Sequence, residues 1–501
     1  MSKKSIIIIG AGIAGLATGC YAQLNGYDSV IYEHHSKPGG LATAWKRKQY
    51  LIDGGIHFLI AHKPGNQISD VYREIGTNRP QSTVDMKTYL KFVDADGTDL
   101  IAFTDDLKKL EQDLIQLSPE DEEEIRSLIK EVDWMKDSPM LTDLGMSVDP
   151  PEIKGRLGSI KELWSMRSFM KYFTGKFNKS CKEYVKRFKS PQLQEIVVNL
   201  FSPDGPIWFV IMILACVAGG YLGLLTKGCP GFIDPIVERY ESLGGKINYR
   251  STVKQIIVEK DTAVGILLED GSEHRADIVV SAADGYDTIY KLLDGKYVSE
   301  KLEKIYREWK SFDPTIMVSF GVRREFTSEA SMTVFMLSEP LVYGERQTKL
   351  LPLRVFNYSD EFAPAGSSVI QIMLETEWEY WHDLQKNRDE YEKEKDRIAK
   401  MILERLEGYY PGISGQIDVI DVATPHTTWR YTLNHKGSPM GWLMTKESLM
   451  TQISRTLPGL GNFYMAGQWV LPGGGVPSCV FTGRNVIQIL CKREGKKFRT
   501  N

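Results

Sequence analysis

Three glycines, Gly10, Gly12 and Gly15, follow directly on an isoleucine run, Ile6 to Ile9, and open a helical pattern. A second apolar run, Ser29 to Tyr32, ends on an acid, Glu33, 18 residues after Gly15. Residues of these types at this spacing can hold an adenine dinucleotide. Gly10 allows the tight turn, Gly12 lets a pyrophosphate approach the backbone, and Gly15 lets helix and strand pack closely. The helix amino end offers free N–H groups and a partial positive charge to the phosphates. Glu33 is placed to accept hydrogen bonds from the adenosine ribose hydroxyls. An acid at that strand end argues against NADP and leaves NAD and FAD both open.

The elements that must position this turn are a buried parallel strand before it and a helix after it. Lys3, Lys4 and the isoleucine run mimic a small signal peptide, but the run is too short for a signal core and feeds straight into the glycine turn. At 501 residues the chain exceeds one simple core and predicts two domains, or one domain with a large insertion. Its 42% hydrophobic and 25% charged residues are those of an ordinary globular protein, and a net charge of −3 predicts no general affinity for nucleic acid. The six cysteines form no C-x-x-C pair and no cluster with histidine, so neither a disulfide scaffold nor a metal site is indicated, and a reducing, cytoplasmic compartment fits best.

Residues 105–200 are charged and helix-patterned. Near Gly228 an α/β pattern returns, as a helix closed by Gly244–Gly245, two strands and a D-G hairpin at Asp270–Gly271. Residues 312–375 alternate like strands of a half-buried sheet, and residues 386–407 carry mixed charge at helical spacing, a solvated helix face. A last strand, Asn462 to Ala466, meets G-G-G-V-P-S-C, which opens the final helix. The expected fold is α/β. A discontinuous Rossmann-type nucleotide domain (1–75, 227–290 and 455–501) carries an inserted mixed α+β substrate or lid domain (76–226 and 291–454).

Four segments add to this: the opening fingerprint with the P-G-G-L-A-T after its acid, L-I-D-G-G-I-H-F at 51–58, the L-G-G-K-I-N-Y-R-S-T-V block ending at Val253, and F-Y-M-A-G-Q-W-V-L-P-G-G-G-V-P-S-C near the C-terminus. Together and in this order they resemble the FAD-dependent family of phytoene desaturases, carotenoid isomerases and retinol saturases. A further stretch, 423–442, is similar to the family's late strand before the last flavin contact. The resemblance implies FAD rather than NAD. It implies that Gly10, Gly12, Ala14, Gly15 and Glu33 hold the adenosine diphosphate half, with Gly39, Gly40 and Leu41 beside the pyrophosphate. Val253 would bracket the adenine, Gly55 and His57 would lie in the cofactor motif, and Gly467 and Gln468 would lie near the ribityl chain. Gly475, Val476 and Pro477 would begin the helix whose amino end faces the flavin pyrimidine edge, where reduced flavin gathers negative charge. Two positions depart from the pattern: Leu41 stands where desaturases and amine oxidases usually have Arg, and Gln468 where they usually have Asp. Gln can still hydrogen-bond a ribityl hydroxyl but brings no charge.

The implied activity is that of an FAD oxidoreductase acting on carbon–carbon bonds of a long apolar polyene or isoprenoid lipid, by desaturation, saturation or cis–trans isomerisation. The rival readings are an amine-oxidase-like flavoenzyme and a flavin-free lipid-binding protein similar to the GDP-dissociation inhibitors. With no second G-x-G-x-x-G, electrons must pass to or from a transient partner: a quinone, oxygen, NAD(P)H or a redox protein. No side chain identifies itself as an obligatory acid or base. His57 is either a proton relay or a plain hydrogen-bonding group, and Asp53 caps the neighbouring glycine turn. Residues 161–190 interleave Lys and Arg with Trp164, Phe169, Tyr172, Phe173, Phe177, Tyr184 and Phe188. This pattern fits either peripheral contact with the inner membrane surface, within candidate membrane-contacting helices at 155–226, or a helix pair over a core. The uncharged run from Gly205 to Thr226 is long enough to span a bilayer, but the nucleotide segments on either side must meet. It is expected in the core or along a greasy tunnel walled by Trp208, Phe209 and Met212.

Overall fold

The computed structural model describes residues 3–138, 141, 150–153, 171–172, 174–449, 451 and 453–501. Five short strands, β1 (Ser5–Ile9), β2 (Asp28–Tyr32), β3 (Lys246–Asn248), β4 (Ile278–Ser281) and β5 (Phe463–Met465), form one parallel sheet in the order β3-β2-β1-β4-β5. Its central strand is apolar on both faces because both are covered. Ile6 and Ile8 pack into the cluster beneath helices α1 (Ile13–Leu24) and α2 (Gly475–Arg493), whereas Ile7 and Ile9 meet Tyr32, Val253 and Trp469 on the other side. Sheet and helices are thus assembled from both ends of the chain and from its middle.

A second, seven-stranded sheet runs in the order Ile417–Ala423, Thr315–Val322, Ser368–Glu375, Arg346–Val355, Met332–Tyr343, Thr88–Val93, Asp99–Thr104. All its pairings are antiparallel except that of Met332–Tyr343 with Thr88–Val93. The helix Arg388–Tyr409 lays Tyr391, Ile398, Ile402 and Leu406 on this sheet and turns its charges outward, as the sequence pattern predicts.

The uncharged run becomes a buried helix, Ile207–Ala218, followed by the strand Leu222–Leu225. Trp208 and Met212 lie in the core and Phe209 is partly exposed. Among the described residues no helix is long and apolar enough to cross a membrane. Of the basic and aromatic segment, Trp164, Phe169 and Phe173 lie outside the described residues. Tyr172, Phe177, Tyr184 and Phe188 are buried, and Lys171 and Arg187 pair with Glu131 and Glu124. That part of the segment is core, not an interface-facing surface.

The stretch 423–442 corrects an expectation. It is not a strand: Pro425–Thr432 is helical, with Pro at its first position and Thr424 and Thr427 closing a reciprocal cap. The strand lies just before it, at Ile417–Ala423. Truncating a fully buried side chain of the apolar helix, Ile211→Ala, is expected to lower stability by about 2–5 kcal/mol, read as a drop in the denaturant midpoint.

Candidate functional site

β1 ends at Ile9 and the chain reverses at Gly10, whose φ of +96° favours glycine. A Cβ at Gly15 would overlap the Gly10 carbonyl oxygen, so that glycine is required by packing. Gly12 differs from both. Its φ of −70° suits any residue, and an added Cβ would meet nothing nearer than the Gly39 carbonyl oxygen at 3.9 Å. Neither conformation nor protein packing demands glycine there; the open space before it is what a closely approaching pyrophosphate requires. The amino end of α1 carries no side-chain cap and no acid in its first turn, which leaves its N–H groups to an anion.

Glu33 is buried at the end of β2. Its Oε2 accepts the Ala11 N–H at 2.6 Å and its Oε1 the His35 N–H at 2.7 Å. Burial pushes its carboxyl above the usual carboxylate range, and the two N–H donors pull it back. The acid therefore fastens the glycine turn to β2, and each oxygen keeps a lone pair for a ribose hydroxyl. The Ser251 N–H donates to the Glu33 carbonyl at 2.8 Å, which brings Val253, the first residue of the strand Val253–Glu259, to the same end of the site.

Gly39 and Gly40 lie against the glycine turn. The Gly39 N–H donates to the Ala11 carbonyl at 2.9 Å, and a Cβ on Gly40 would stand 3.4 Å from the Gly12 Cα. Next along the cradle, Gly55 packs on Leu41, leaving 2.8 Å between an added Cβ and the Leu41 carbonyl oxygen. Asp53, expected to cap its neighbouring glycine turn, also reaches a distant helix: its Oδ2 accepts the Cys229 N–H at 3.1 Å at the amino end of the helix Gly228–Ser242. His57 retains accessible surface, yet burial, helped by the Arg354 charge, pushes its imidazolium down to about 3. Its ring is neutral at working pH.

The C-terminal contribution closes over the same turn. The Gly467 N–H donates to Thr482 Oγ1 at 2.8 Å, and a Cβ on Gly467 would lie 3.6 Å from that of Ala14. The Gln468 side chain reaches the Gly474 position, immediately before α2. α2 opens through partly exposed Gly475 and Val476 and buried Pro477, again with no side-chain cap and no acid in its first turn. Two uncapped helix amino ends therefore face one cradle, which runs from Glu33 and Val253 past Gly12, Gly39 and Gly40 to His57 and Gln468. The residues fit a flavin dinucleotide, with an acid at the ribose end and helix dipoles where phosphates and an electron-rich ring would lie.

Three polar residues in or beside this region had no motif to announce them. Arg354 donates through Nη2 to the carbonyls of Ile56 (3.3 Å) and His57 (3.4 Å). Its cross-strand partner Gln371 donates to the Asp53 carbonyl at 2.9 Å. Their only sequence signal was an inward-facing place in an alternating strand, which ordinary core residues share. Asp284, just beyond β4, accepts N–H groups from Asp287 and His435, and burial pushes its carboxyl up to about 7. Asp284, Asp287 and His435 bring ligand atoms within 4.8 Å of one another. Both Asp284 oxygens already take backbone donors and Lys291 pairs with Asp287, so the trio works as a lock between two loops.

The contrast between Gly12 and Gly15 is testable. Gly12→Ala is expected to leave the melting temperature of cofactor-free protein unchanged while weakening dinucleotide binding at least about tenfold, or 1.4 kcal/mol. Gly15→Ala is expected to lower the melting temperature itself. Calorimetry with and without FAD separates the two.

The sequence pattern of the flavin containing amine oxidoreductases matches residues 13–489. The chain is similar to the chloroplastic prolycopene isomerase of Arabidopsis thaliana, at 25% identity over 96% of this chain and 82% of that one. It is also similar to the 1-hydroxycarotenoid 3,4-desaturase of a Flavobacterium species, at 23% identity over 97% and 99% of the two chains. Among solved structures, a triple mutant of putrescine oxidase shares the fold with a TM-score of 0.64 at 12% identity, covering 98% of this chain and 99% of that one. The family match takes in the glycine turn from Ile13 onward, the inserted sheet and nearly all of α2, and the chain belongs to the flavin containing amine oxidoreductases, as an oxidoreductase whose cofactor is FAD.

Proposed function

We propose that this enzyme acts on carbon–carbon double bonds of a long apolar polyene or isoprenoid lipid, by desaturation, saturation or cis–trans isomerisation. The observation that carries the reading is the character of the wall beside the cradle. Phe58, which follows His57, and Tyr358, Met336, Leu350 and Met444 are partly accessible and pack on the apolar cluster built around Ile207–Ala218. Met444 lies against Gly473, at the loop that opens α2. Such thioether, aromatic and aliphatic groups adapt to a long hydrocarbon. Relatives named for carotenoid isomerisation and desaturation support the same substrate class.

In this reading residues 1–75, 227–290 and 455–501 hold the cofactor, and 76–226 with 291–454 close over the substrate. Glu33, Gly12, Gly39 and Gly40 would hold the adenosine diphosphate half, and Gln468 with the amino end of α2 would hold the ribityl and pyrimidine end. Bound flavin supplies hydride and electron transfer. The protein's part is to orient both partners, keep water from the apolar wall and present His57 as a neutral ring. A lipid substrate also suits peripheral contact with a membrane, although the buried Tyr172, Phe177, Tyr184 and Phe188 do not provide it. The electron partner is a quinone, oxygen, NAD(P)H or a redox protein.

Purified protein is expected to show flavin absorbance near one FAD per chain that bleaches on anaerobic reduction. Offered cis-polyenes and phytoene-like substrates, the reduced form should isomerise or saturate, or the oxidised form should desaturate, with products resolved by chromatography and visible spectra. Peroxide release with amines and no turnover of any polyene would overturn the reading.

A further inference from the structure

We propose that Arg354 is a positioning residue of the flavin site: it holds the Ile56 and His57 carbonyls, and with them the His57 ring, at the reacting end of the cradle, and it sets a buried positive charge beside the electrons that flavin gathers on reduction. The proposal rests on FAD lying in the cradle described above.

Arg354 is 5% exposed and sits on the strand Arg346–Val355 of the second sheet, whereas the carbonyls it grips belong to the segment that packs on Leu41. It therefore joins the substrate sheet to the cofactor cradle. Its other contacts are the Tyr358 hydroxyl at 3.5 Å and the face of Phe356, 4.3 Å from the ring centre. Among the described residues no carboxylate lies within ion-pair distance of it, and its Nη1 has no partner. A desolvated cation held only by carbonyls, a phenol and a ring face is costly to bury.

Among the described residues facing His57 and Arg354, Asp53 is the carboxyl whose charge interacts with that of Arg354. Asp53 gives one oxygen to the Cys229 N–H, and its Oδ1 is unpartnered. Burial holds the Asp53 carboxyl above the usual range despite Arg354. Burial pushes the Cys229 thiol well above its usual range and the Tyr358 phenol up to about 12, so both are neutral. The cation thus acts in one consistent direction. It adds to the burial that pushes the His57 imidazolium down to about 3, and it would favour negative charge on a reduced cofactor bound in the cradle.

The test uses FAD-loaded Arg354→Met and Arg354→Lys. Two quantities are read besides turnover: the flavin midpoint potential, by dye-equilibrated spectrophotometry, and the His57 titration, by NMR of ring-labelled histidine assigned with His57→Gln. For Arg354→Met the potential is expected to fall, the His57 pKa to rise, and kcat to drop by more than KM changes. For Arg354→Lys, which restores charge without the planar fork, the potential should stay near that of the unmodified protein while the His57 resonance shifts. If Arg354→Met does not fold, Arg354→Lys decides. FAD bound at full stoichiometry with the His57 signal unmoved in either variant, or with the potential unmoved in Arg354→Met, overturns the proposal and leaves the FAD assignment standing. Failure of the unmodified protein to take up FAD overturns both.

Discussion

The hydrogen bond from the Ala11 N–H to the buried Glu33 carboxylate is the contact on which the rest of the site depends. It joins the loop between β1 and α1 to the end of β2, so the two crossover-connected strands present one rigid rim. A hydrogen bond to a charged group of this kind contributes about 1.5–3 kcal/mol, enough to offset much of the cost of burying the acid. The same carboxylate takes the His35 N–H, which fixes the direction in which the chain leaves β2 toward Gly39 and Gly40. Without that tie, the open space before Gly12 would have no fixed far wall.

A rim built this way also explains the chain's long excursions. The sheet needs β3, β4 and β5 as well as β1 and β2, and these come from residues 246–248, 278–281 and 463–465. Between visits the chain builds the seven-stranded sheet and the apolar cluster around Ile207–Ala218. The seven-stranded sheet is tied to segment 53–57 by Gln371, which donates to the Asp53 carbonyl, and by Arg354, which donates to the carbonyls of Ile56 and His57. Because these links bind backbone oxygens, segment 53–57 is aligned by the seven-stranded sheet whatever side chains it carries.

The parts of this architecture that were legible in the sequence are those with local causes. The glycine turn, the two strands around it and the helix opened by Gly475 follow from spacing and backbone conformation alone. The solvated face of Arg388–Tyr409 follows from charge periodicity, and the buried nature of 205–226 from topology. What was not legible depends on distant partners. Thr88–Val93 becomes a strand of the large sheet through a parallel pairing with Thr333–Phe335, which no local pattern specifies. The aromatic residues of 172–188 read equally well as interfacial or internal until Glu124 and Glu131 arrive to pair with their cations. The stretch after Ala423 reads as a strand, but its Thr-Pro-x-Thr start, Thr424 to Thr427, favours a capped helix, a local signal that the resemblance concealed.

Arg354 shows why the chemistry of such a site is harder to read than its cofactor. A dinucleotide is held largely by backbone N–H groups and missing Cβ atoms, so its signature is written in glycines at fixed intervals. The reacting end is governed by fields and orientation: two uncapped helix ends, a neutral imidazole and a cation whose hydrogen-bond partners are carbonyls and a phenol. None of these requires a particular neighbour in sequence. A strand position that points inward can hold valine as easily as arginine without changing the pattern. The charge at Arg354 was invisible for that reason, although in the fold it ties the seven-stranded sheet to the carbonyls of Ile56 and His57.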